Sequence, residues 1–329
     1  MLFSVIIPVY NRPDELSELL QSLVSQHFKD FEVLVIDDGS TISCEKIADS
    51  FSDKLSIHYF FKQNSGPGPS RNYGAERASG DYLIILDSDC ILPDTYFDAV
   101  VAELRSVPAD AFGGPDRAHS SFTDVQKAIN YSMTSFFTTG GIRGGKKKMD
   151  KFYPRSFNMG VRREAYQALH GFSQMRFGED IDFSIRIFKN GYSCRLFPEA
   201  WVYHKRRTDW KKFFKQVHNS GIARINLYKK YPDSLKLVHL LPAVFTLGCA
   251  VLLLGGLFCS WSLSLLLLYA LMVFIDSSLK NKSLLIGFYS IFAAYIQLIG
   301  YGTGFIRAWW RRCVLGKDEF EAFKTNFYK

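Results

Sequence analysis

Two aspartates stand at the end of a strongly apolar stretch in the first third of the chain. Asp87 and Asp89 enclose the small residue Ser88 and directly follow YLIIL at residues 82–86. An apolar run of this length predicts a buried strand whose end carries both carboxylates. Mg²⁺ and Mn²⁺ bind one or two carboxylates together with phosphate oxygens. The stretch therefore indicates a site for a divalent ion and a nucleotide diphosphate, although Asp-x-Asp alone is also typical of an acidic turn.

The segments before this pair predict a parallel sheet. FSVIIPVY (3–10) and FEVLVIDDG (31–39) are typical of buried strands, and a leucine-rich stretch between them has the spacing of one helix face. A strand, helix, strand order favours parallel pairing. Such sheets bind ligands outside the carboxyl ends of their strands. We therefore expect one sheet edge to carry Tyr10-Asn11, Asp37-Asp38 and Asp87-Ser88-Asp89.

The same alternation continues to about residue 204 and predicts an α/β domain, a mostly parallel sheet covered by helices. The further predicted elements are a strand at 55–61, a helix at 69–78, a helix at 94–104, a strand at 157–163, a helix at 181–191 and a strand at 194–204. The first strand runs into PVYNRPDE, which lacks the glycines of the dinucleotide fingerprint. This argues against a dinucleotide-dependent oxidoreductase.

Five segments, in this order and spacing, together resemble the family 2 glycosyltransferases, which have the GT-A fold. They are SVIIPVYNR, FEVLVIDDGS, GPGPSRNYGAERASGDYLIILDSDC, FNMGVRREAYQALHGF and FGEDIDFSIRIFKNGYSCRLFPEAWVYHKRR. The resemblance covers about residues 3 to 230. A looser one, through YIQLIGYGTGFIRAWWRR, is to membrane-attached members that build bacterial exopolysaccharides and lipid-linked glycans.

The resemblance implies a donor pocket at the strand ends. Asp38 would hold the edge of the nucleobase, and Pro8, Tyr10 and Asn11 would shape the pocket from the first strand. Arg71 would lie near the donor, with a surface helix arginine as the alternative.

It also implies a metal site, for Mg²⁺ or Mn²⁺, beside that pocket. Asp89 would ligate the ion, while Asp87, with Ser88, would approach the ribose or a metal-bound water. His204 would add an imidazole ligand, or would be an ordinary hydrogen-bonding histidine at a strand end.

A base is expected in GED, residues 178–180. Displacement of a nucleoside diphosphate with inversion requires a carboxylate to accept the proton of the acceptor hydroxyl. The resemblance assigns this role to Asp180, with Glu179 as an acidic neighbour and acceptor contact. The alternative is that both residues cap a helix.

Two uncharged stretches, 237–275 and 283–306, predict membrane helices. We expect helices at about 237–257, 261–276 and 284–306, and the alternative is an unusually apolar helical core. The predicted domains are 1–232 (GT-A), 233–312 (membrane region) and 313–329 (tail). Three crossings would leave the arginines after residue 306 opposite the first domain, against the positive-inside tendency, so the third segment is crossing, re-entrant or interfacial.

The net charge of +8 is concentrated around these apolar stretches. Basic flanks of this kind attract anionic headgroups, and no nucleic-acid-binding motif accompanies them. The aromatic and basic segment 210–232 predicts a helix in the headgroup layer. Lys205, Arg206 and Arg207 would neutralise a diphosphate or a lipid phosphate. The chain opens without a secretory leader, which predicts a cytoplasmic first domain at the cell inner membrane.

These inferences favour an inverting, hexosyltransferase-type enzyme in polysaccharide biosynthesis. It would move a sugar from a nucleotide donor, most simply a UDP-sugar, to a hydroxyl of a lipid-linked saccharide at the cytoplasmic membrane face. Two alternatives stay open: transfer to polyprenyl phosphate itself, and a non-catalytic anchor that binds nucleotide sugars in an assembly complex.

Overall fold

The computed structural model describes residues 1–117, 119, 121–140, 152–205 and 209–320. The chain folds into two compact units. Within the described residues, unit 1 contains 1–117 and 152–204, and unit 2 contains 119, 121–140, 205 and 209–320.

Unit 1 contains the strands. They are β1 (Phe3–Val9), β2 (Phe31–Asp37), β3 (Ser56–Phe61), β4 (Tyr82–Leu86), β5 (Cys90–Ile91), β6 (Ala111–Gly113), β7 (Asp116–Arg117), β8 (Asn158–Arg162), β9 (Cys194–Leu196) and β10 (Val202–His204). The large sheet has the order β3-β2-β1-β4-β8-β6-β9. Its pairs are parallel except at β8, which is antiparallel to both β4 and β6. The predicted α/β fold with a mostly parallel sheet is confirmed.

The helices follow in both units. Those of unit 1 are α1 (Pro13–Val24), α2 (Glu45–Asp49), α3 (Pro67–Ala75), α4 (Tyr96–Ser106), α7 (Arg163–Ala168) and α8 (Glu179–Lys189). Those of unit 2 are α5 (Asp124–Thr134), α6 (Phe136–Thr139), α9 (Trp210–Lys230), α10 (Leu241–Gly255), α11 (Ser264–Asn281) and α12 (Leu284–Trp309).

Alternation along the central strands builds two cores. Val5 and Ile7 of β1 face a cluster that includes leucines of α1. Ile6, between them, faces the opposite cluster, which includes Tyr166 and Phe183. All three strand residues are fully buried, and each contributes about 1.5–3 kcal/mol of hydrophobic stabilisation. Both faces of the sheet are therefore covered by apolar side chains.

A small sheet brings two distant segments together in unit 1. Its order is β5-β10-β7, and β10 is antiparallel to β5, with His204 opposite Cys90. The predicted strand at 194–204 is wrong as one element, because β9 joins the large sheet and β10 joins the small one.

The predicted apolar helices of unit 2 are present. Three helical segments are long and apolar enough to cross a membrane: Leu237–Gly255, Ser260–Asn281 and Leu284–Val314. The predicted helix at 210–232 is α9, which ends at Lys230. The domain limits at 232 and 312 stay a prediction, but α5, α6 and α9 belong to the same compact unit as the apolar helices.

Candidate active site

Three neighbouring strand ends form the floor of the candidate site in unit 1. β1 pairs in parallel with β2 on one side and β4 on the other, and Val9 lies opposite Asp37. The sheet therefore brings the ends of all three strands to one edge, as expected. Pro8 is buried inside β1, and Tyr10 is half-buried just beyond it.

Asn11 shapes this edge through its backbone and side chain. Its φ of 52° lies in the left-handed region, which asparagine tolerates better than most residues. Its Oδ1 accepts hydrogen bonds from the amides of Thr41 (2.8 Å) and Ile42 (3.0 Å). Asn11 thus fixes the loop after β2.

Asp38 is fully buried, and its carboxylate is held from several directions. Lys62 Nζ lies 2.6 Å from Oδ1. The amides of Ser65 and Gly66 donate to the two oxygens at 2.9 and 2.8 Å. The carboxylate is therefore oriented by the fold.

Arg71 joins the strand edge to the start of α8. One guanidinium nitrogen donates to Asp87 Oδ1 at 2.8 Å and another to Glu179 Oε1 at 2.9 Å. The side chain is 3% exposed, so the alternative of a surface arginine is wrong. Burial lowers the pKa of Arg71, but the two carboxylates outweigh it and raise that pKa. Arg71 is therefore a permanent cation between two acidic segments.

Glu179 has an unusual protonation equilibrium. Burial, followed by the charge of Asp180, raises its pKa to about 7, while Arg71 acts in the opposite direction. A carboxyl group with a pKa near neutrality is typical of functional sites. Glu179 is therefore sensitive to pH in the neutral range.

Asp180 occupies the first turn of α8, after Gly178, whose φ of 84° favours glycine. Its Oδ1 accepts from the amide of Ile181 at 2.8 Å. Its Oδ2 lies 3.0 Å from Arg155 Nε. The Ile181 amide and Arg155 thus hold the two carboxylate oxygens in place.

Asp89, Cys90 and His204 form a cluster whose ligand atoms all lie within 4.8 Å of one another. Arg12 also contacts Asp89, with 2.6 Å between its guanidinium and Oδ2. Burial raises the pKa of Asp89, but His204 and Arg12 outweigh it and keep that pKa well below its usual range.

The residues of this cluster fit a divalent ion. Asp89 Oδ1 lies 3.2 Å from His204 Nε2, yet it accepts no well-aligned hydrogen bond from the described residues. His204 Nδ1 is also buried without a partner among them. Asp89 Oδ1 and His204 Nε2 face each other at a separation that lets both bind one ion. Burial raises the pKa of the Cys90 thiol and disfavours its thiolate.

Sequence reasoning missed the cations that hold the acidic residues. Arg12, Lys62 and Arg155 pair with Asp89, Asp38 and Asp180 respectively. Nothing in the local sequence marks these pairs, although Arg12 lies within the quoted segment SVIIPVYNR. Arg206 and Arg207 lie outside the described residues.

The family is decided by a sequence profile. The profile described as Glycosyl transferase family 2 matches residues 4–169, which is about half of the chain. The chain belongs to glycosyltransferase family 2. The matched segment contains the strand-end residues and Arg71, whereas α8 follows it.

Relatives and solved structures agree with this family 2 assignment. An uncharacterized glycosyltransferase of Rickettsia felis is 36% identical over 141 residues, which are 42% of this chain and 22% of that relative. The chain thus spans about a fifth of that protein's length.

Two solved structures have a fold similar to that of this chain. The mannosyltransferase PcManGT of Pyrobaculum calidifontis, in complex with GDP-Man and Mn²⁺, is 17% identical with a TM-score of 0.63, over 90% of this chain and 86% of that one. S. aureus TarS 1-349, in complex with UDP-GlcNAc, is 22% identical with a TM-score of 0.51, over 69% and 67%.

Proposed function

We propose that this family 2 protein is an inverting glycosyltransferase that transfers a sugar from a UDP-sugar to a hydroxyl of a lipid-linked saccharide. The observation that carries the proposal is the Arg71 bridge. It ties Asp87, at the strand edge, to Glu179, beside the proposed base Asp180. Donor-side and acceptor-side residues thus belong to one ion-pair network within unit 1.

The donor is a nucleotide sugar bound over the ends of β1, β2 and β4. Two structures with this fold are complexes with UDP-GlcNAc and GDP-Man, which supports the donor class. Asp38 would hold the base edge through the backbone of Ser65 and Gly66, which its buried carboxylate orients, and Asn11, Tyr10 and Pro8 would form the adjoining wall. Asp87 and Ser88 would lie at the ribose and diphosphate.

Asp89 and His204 would hold Mg²⁺ or Mn²⁺. When bound, the ion would supply positive charge for the departing diphosphate. Arg12 orients Asp89 from its other oxygen, so the carboxylate presents a fixed face to the site.

Asp180 would be the general base. In the proposed reaction the acceptor oxygen forms a bond to the anomeric carbon while the bond from that carbon to the diphosphate breaks. The proton of the acceptor hydroxyl goes to the Asp180 carboxylate. The Ile181 amide, which donates to Oδ1, keeps that carboxylate oriented.

The acceptor assignment rests on unit 2. Its three apolar helical segments support attachment to a membrane, and the basic residues around them favour the cytoplasmic face of a cell inner membrane. A lipid-linked saccharide is the acceptor that such an attached enzyme would meet there.

The test measures diphosphate release in membranes that contain the protein, with UDP-sugars and GDP-sugars, with and without extracted lipid acceptors. We expect one UDP-sugar to support release that depends on a divalent ion. Asp180→Asn should lower the rate by about 10²–10⁴-fold. Asp53→Asn, a change at an exposed aspartate of unit 1, is the control.

Full turnover by Asp180→Asn would remove the base from the proposal. If Asp89→Asn were inactive at the same time, the acceptor would be one that is already ionised, such as a lipid phosphate. Donor binding without any release in the unaltered protein would refute catalysis.

A further inference from the structure

The third apolar segment differs from the other two in what surrounds it. Buried residues make up 39% of its most apolar window, against 11% for each of the other segments. A helix that is apolar on every face is either surrounded by lipid or by protein. Many apolar side chains of α12 are thus covered by neighbouring helices of unit 2, so they do not require lipid around them.

One of these neighbours is α9, which runs parallel to α12. Val217 packs against Gly300, and further along both helices the Arg312 guanidinium donates to Asn226 Oδ1 at 2.6 Å. Residue numbers thus rise together along the two helices. The ring of Trp210 also lies 6.4 Å from that of Tyr289, so the contacts follow α12 over most of its length.

The outer face of α9 is not suited to hydrocarbon. Lys211, Lys212, Lys215, Lys229 and Lys230 are exposed, and Ser220 is exposed between them. Lysines are costly inside a bilayer unless they reach an interface. With its 21 residues, α9 is about 31 Å long, and between its terminal lysines the polar residues Asn219, Ser220 and Arg224 are exposed or half-buried, so an upright α9 would hold them at the depth of the hydrocarbon.

The other two apolar helices, α10 and α11, form a helical hairpin. At the end of the hairpin that contacts α12, here called its base, the two helices are far apart. Near the base, α10 begins beside α12 at Gly302, which contacts Pro242 and Thr246. The last turns of α11 meet α12 at Ser290, whose hydroxyl lies 2.7 Å from that of Ser277. Because these two contacts are separated by roughly 18 Å along α12, the hairpin stands across that helix.

Beyond its base the hairpin contacts itself and Tyr295 of α12, whose ring lies 5.8 and 5.5 Å from those of Phe245 and Tyr269 and whose hydroxyl donates to the Leu266 carbonyl at 2.9 Å. The rings of Phe245 and Tyr269 lie 5.1 Å apart, and Ser262 donates to the Leu252 carbonyl at 3.0 Å. Large apolar side chains near the tip are more than half exposed, among them Leu254, Leu257, Phe258, Trp261 and Leu265. The tip therefore presents an apolar surface without charged residues, since none occurs between 237 and 275.

We propose that α10 and α11 cross the bilayer as a pair, while α12 lies with α9 at the membrane surface and does not cross. This inference rests on the membrane attachment in the proposed function. The chain then crosses an even number of times, so the residues after α12 return to the side of α9. Lys280, Lys282, Arg307 and Arg311 all lie on that side, in agreement with the positive-inside tendency.

The first test uses a membrane-impermeant maleimide on sealed vesicles of both orientations, with labelled peptides identified by mass spectrometry. The native exposed Cys259 reports on the hairpin tip. Lys317→Cys reports on the residues after α12, and Ser52→Cys, at an exposed site of unit 1, is the reference. We expect Lys317→Cys and Ser52→Cys to react from one side and Cys259 from the other.

Labelling of Lys317→Cys from the same side as Cys259 would overturn the proposal, because α12 would then cross. Labelling of Cys259 only after detergent treatment would also overturn it, because the hairpin would then end inside the bilayer. Release of the protein by alkaline carbonate would refute membrane attachment itself. The labelling experiment does not depend on enzymatic activity, so its outcome can be distinguished from a failure of the proposed catalysis.

The second test measures depth with a nitroxide attached to single cysteines. Leu285→Cys, Ile299→Cys and Trp309→Cys sample α12, and Val251→Cys samples the middle of α10. We expect one interfacial depth for the three α12 positions and a depth near the bilayer centre for Val251→Cys. A central depth at Ile299→Cys would contradict the proposal.

Discussion

The interactions inside unit 1 differ in kind from those inside unit 2. In unit 1, buried carboxylates pair with cations that are remote in sequence, as Arg71 does with Glu179. In unit 2, helices approach through small residues: Gly304 lies against the backbone of His218, and Gly287 against Ser278. Charge fixes the geometry of a site, whereas small residues allow helix backbones to approach and pack closely. Substitutions of the two kinds should therefore fail in different ways.

The largest effect is expected for Arg71→Ala. It leaves Asp87 and Glu179 without their shared cation, which typically costs about 3–5 kcal/mol for a buried pair. Diphosphate release should fall below detection, and the Tm of the purified protein should drop. Arg71→Lys keeps the charge but loses the planar guanidinium that contacts both carboxylates. Compared with Arg71→Ala, it should restore stability more than activity. Equal activity in Arg71→Ala and the unaltered protein would contradict the role of the bridge.

The second effect is a dependence of protein stability on pH, which Glu179 produces. Its pKa in the folded protein is about 7, above the ordinary 4.5, so the folded state binds this proton more tightly than the unfolded state. The stabilisation is complete below about pH 4.5 and is lost as the pH rises through 7, a change of up to about 3 kcal/mol. In Glu179→Gln the Tm should change less between pH 4.5 and 8.

Glu164→Gln, at an exposed glutamate, serves as the control for that measurement. Parallel Tm curves for Glu179→Gln and the control would show that Glu179 does not titrate in this range.

The third effect belongs to unit 2. Gly304→Ala forces a methyl group onto the His218 carbonyl, so it should destabilise the contact of α9 with α12 by about 2 kcal/mol. Gly248→Ala is the matched change, because open space surrounds that glycine. It should be neutral or slightly stabilising. Tm values in detergent compare the two, and equal values would argue against close packing at Gly304.

The smallest effect is expected for Arg155→Gln. Arg155 contacts Asp180, but its side chain is one-third exposed, so solvent screens the pair. A loss of about 1 kcal/mol, or roughly fivefold in kcat/KM, is expected with little change in Tm. A loss as large as that of Asp180→Asn would instead make Arg155 part of the reaction itself.

Sequence reasoning predicted the features that depend on local pattern. The apolar runs of β1, β2 and β4 identified the strands, and their order along the chain identified the shared edge that carries Asp38 and Asp87. Helix α9 and the apolar helices were also predicted, because their spacing and composition are local properties. The roles of the site residues stay predictions.

Features set by distant contacts could not be predicted. Arg12 and Asp89 are 77 positions apart, and no property of either segment specifies the other. The segment 194–204 separates into β9 and β10 because each half pairs with a different sheet. The glycines of α12 serve close packing in a continuous helix, and the residues that they meet in α9, α10 and α11 are distant in sequence.

The Arg71 bridge also constrains when the candidate site can form during synthesis. Arg71 and Glu179 are 108 positions apart, so the bridge cannot close until α8 has been made and has docked on the sheet. A nascent chain that displays only β1 to β4 already has the strand-end acids but lacks their counterpart. The geometry of the candidate site is therefore complete only after the chain has been made as far as α8.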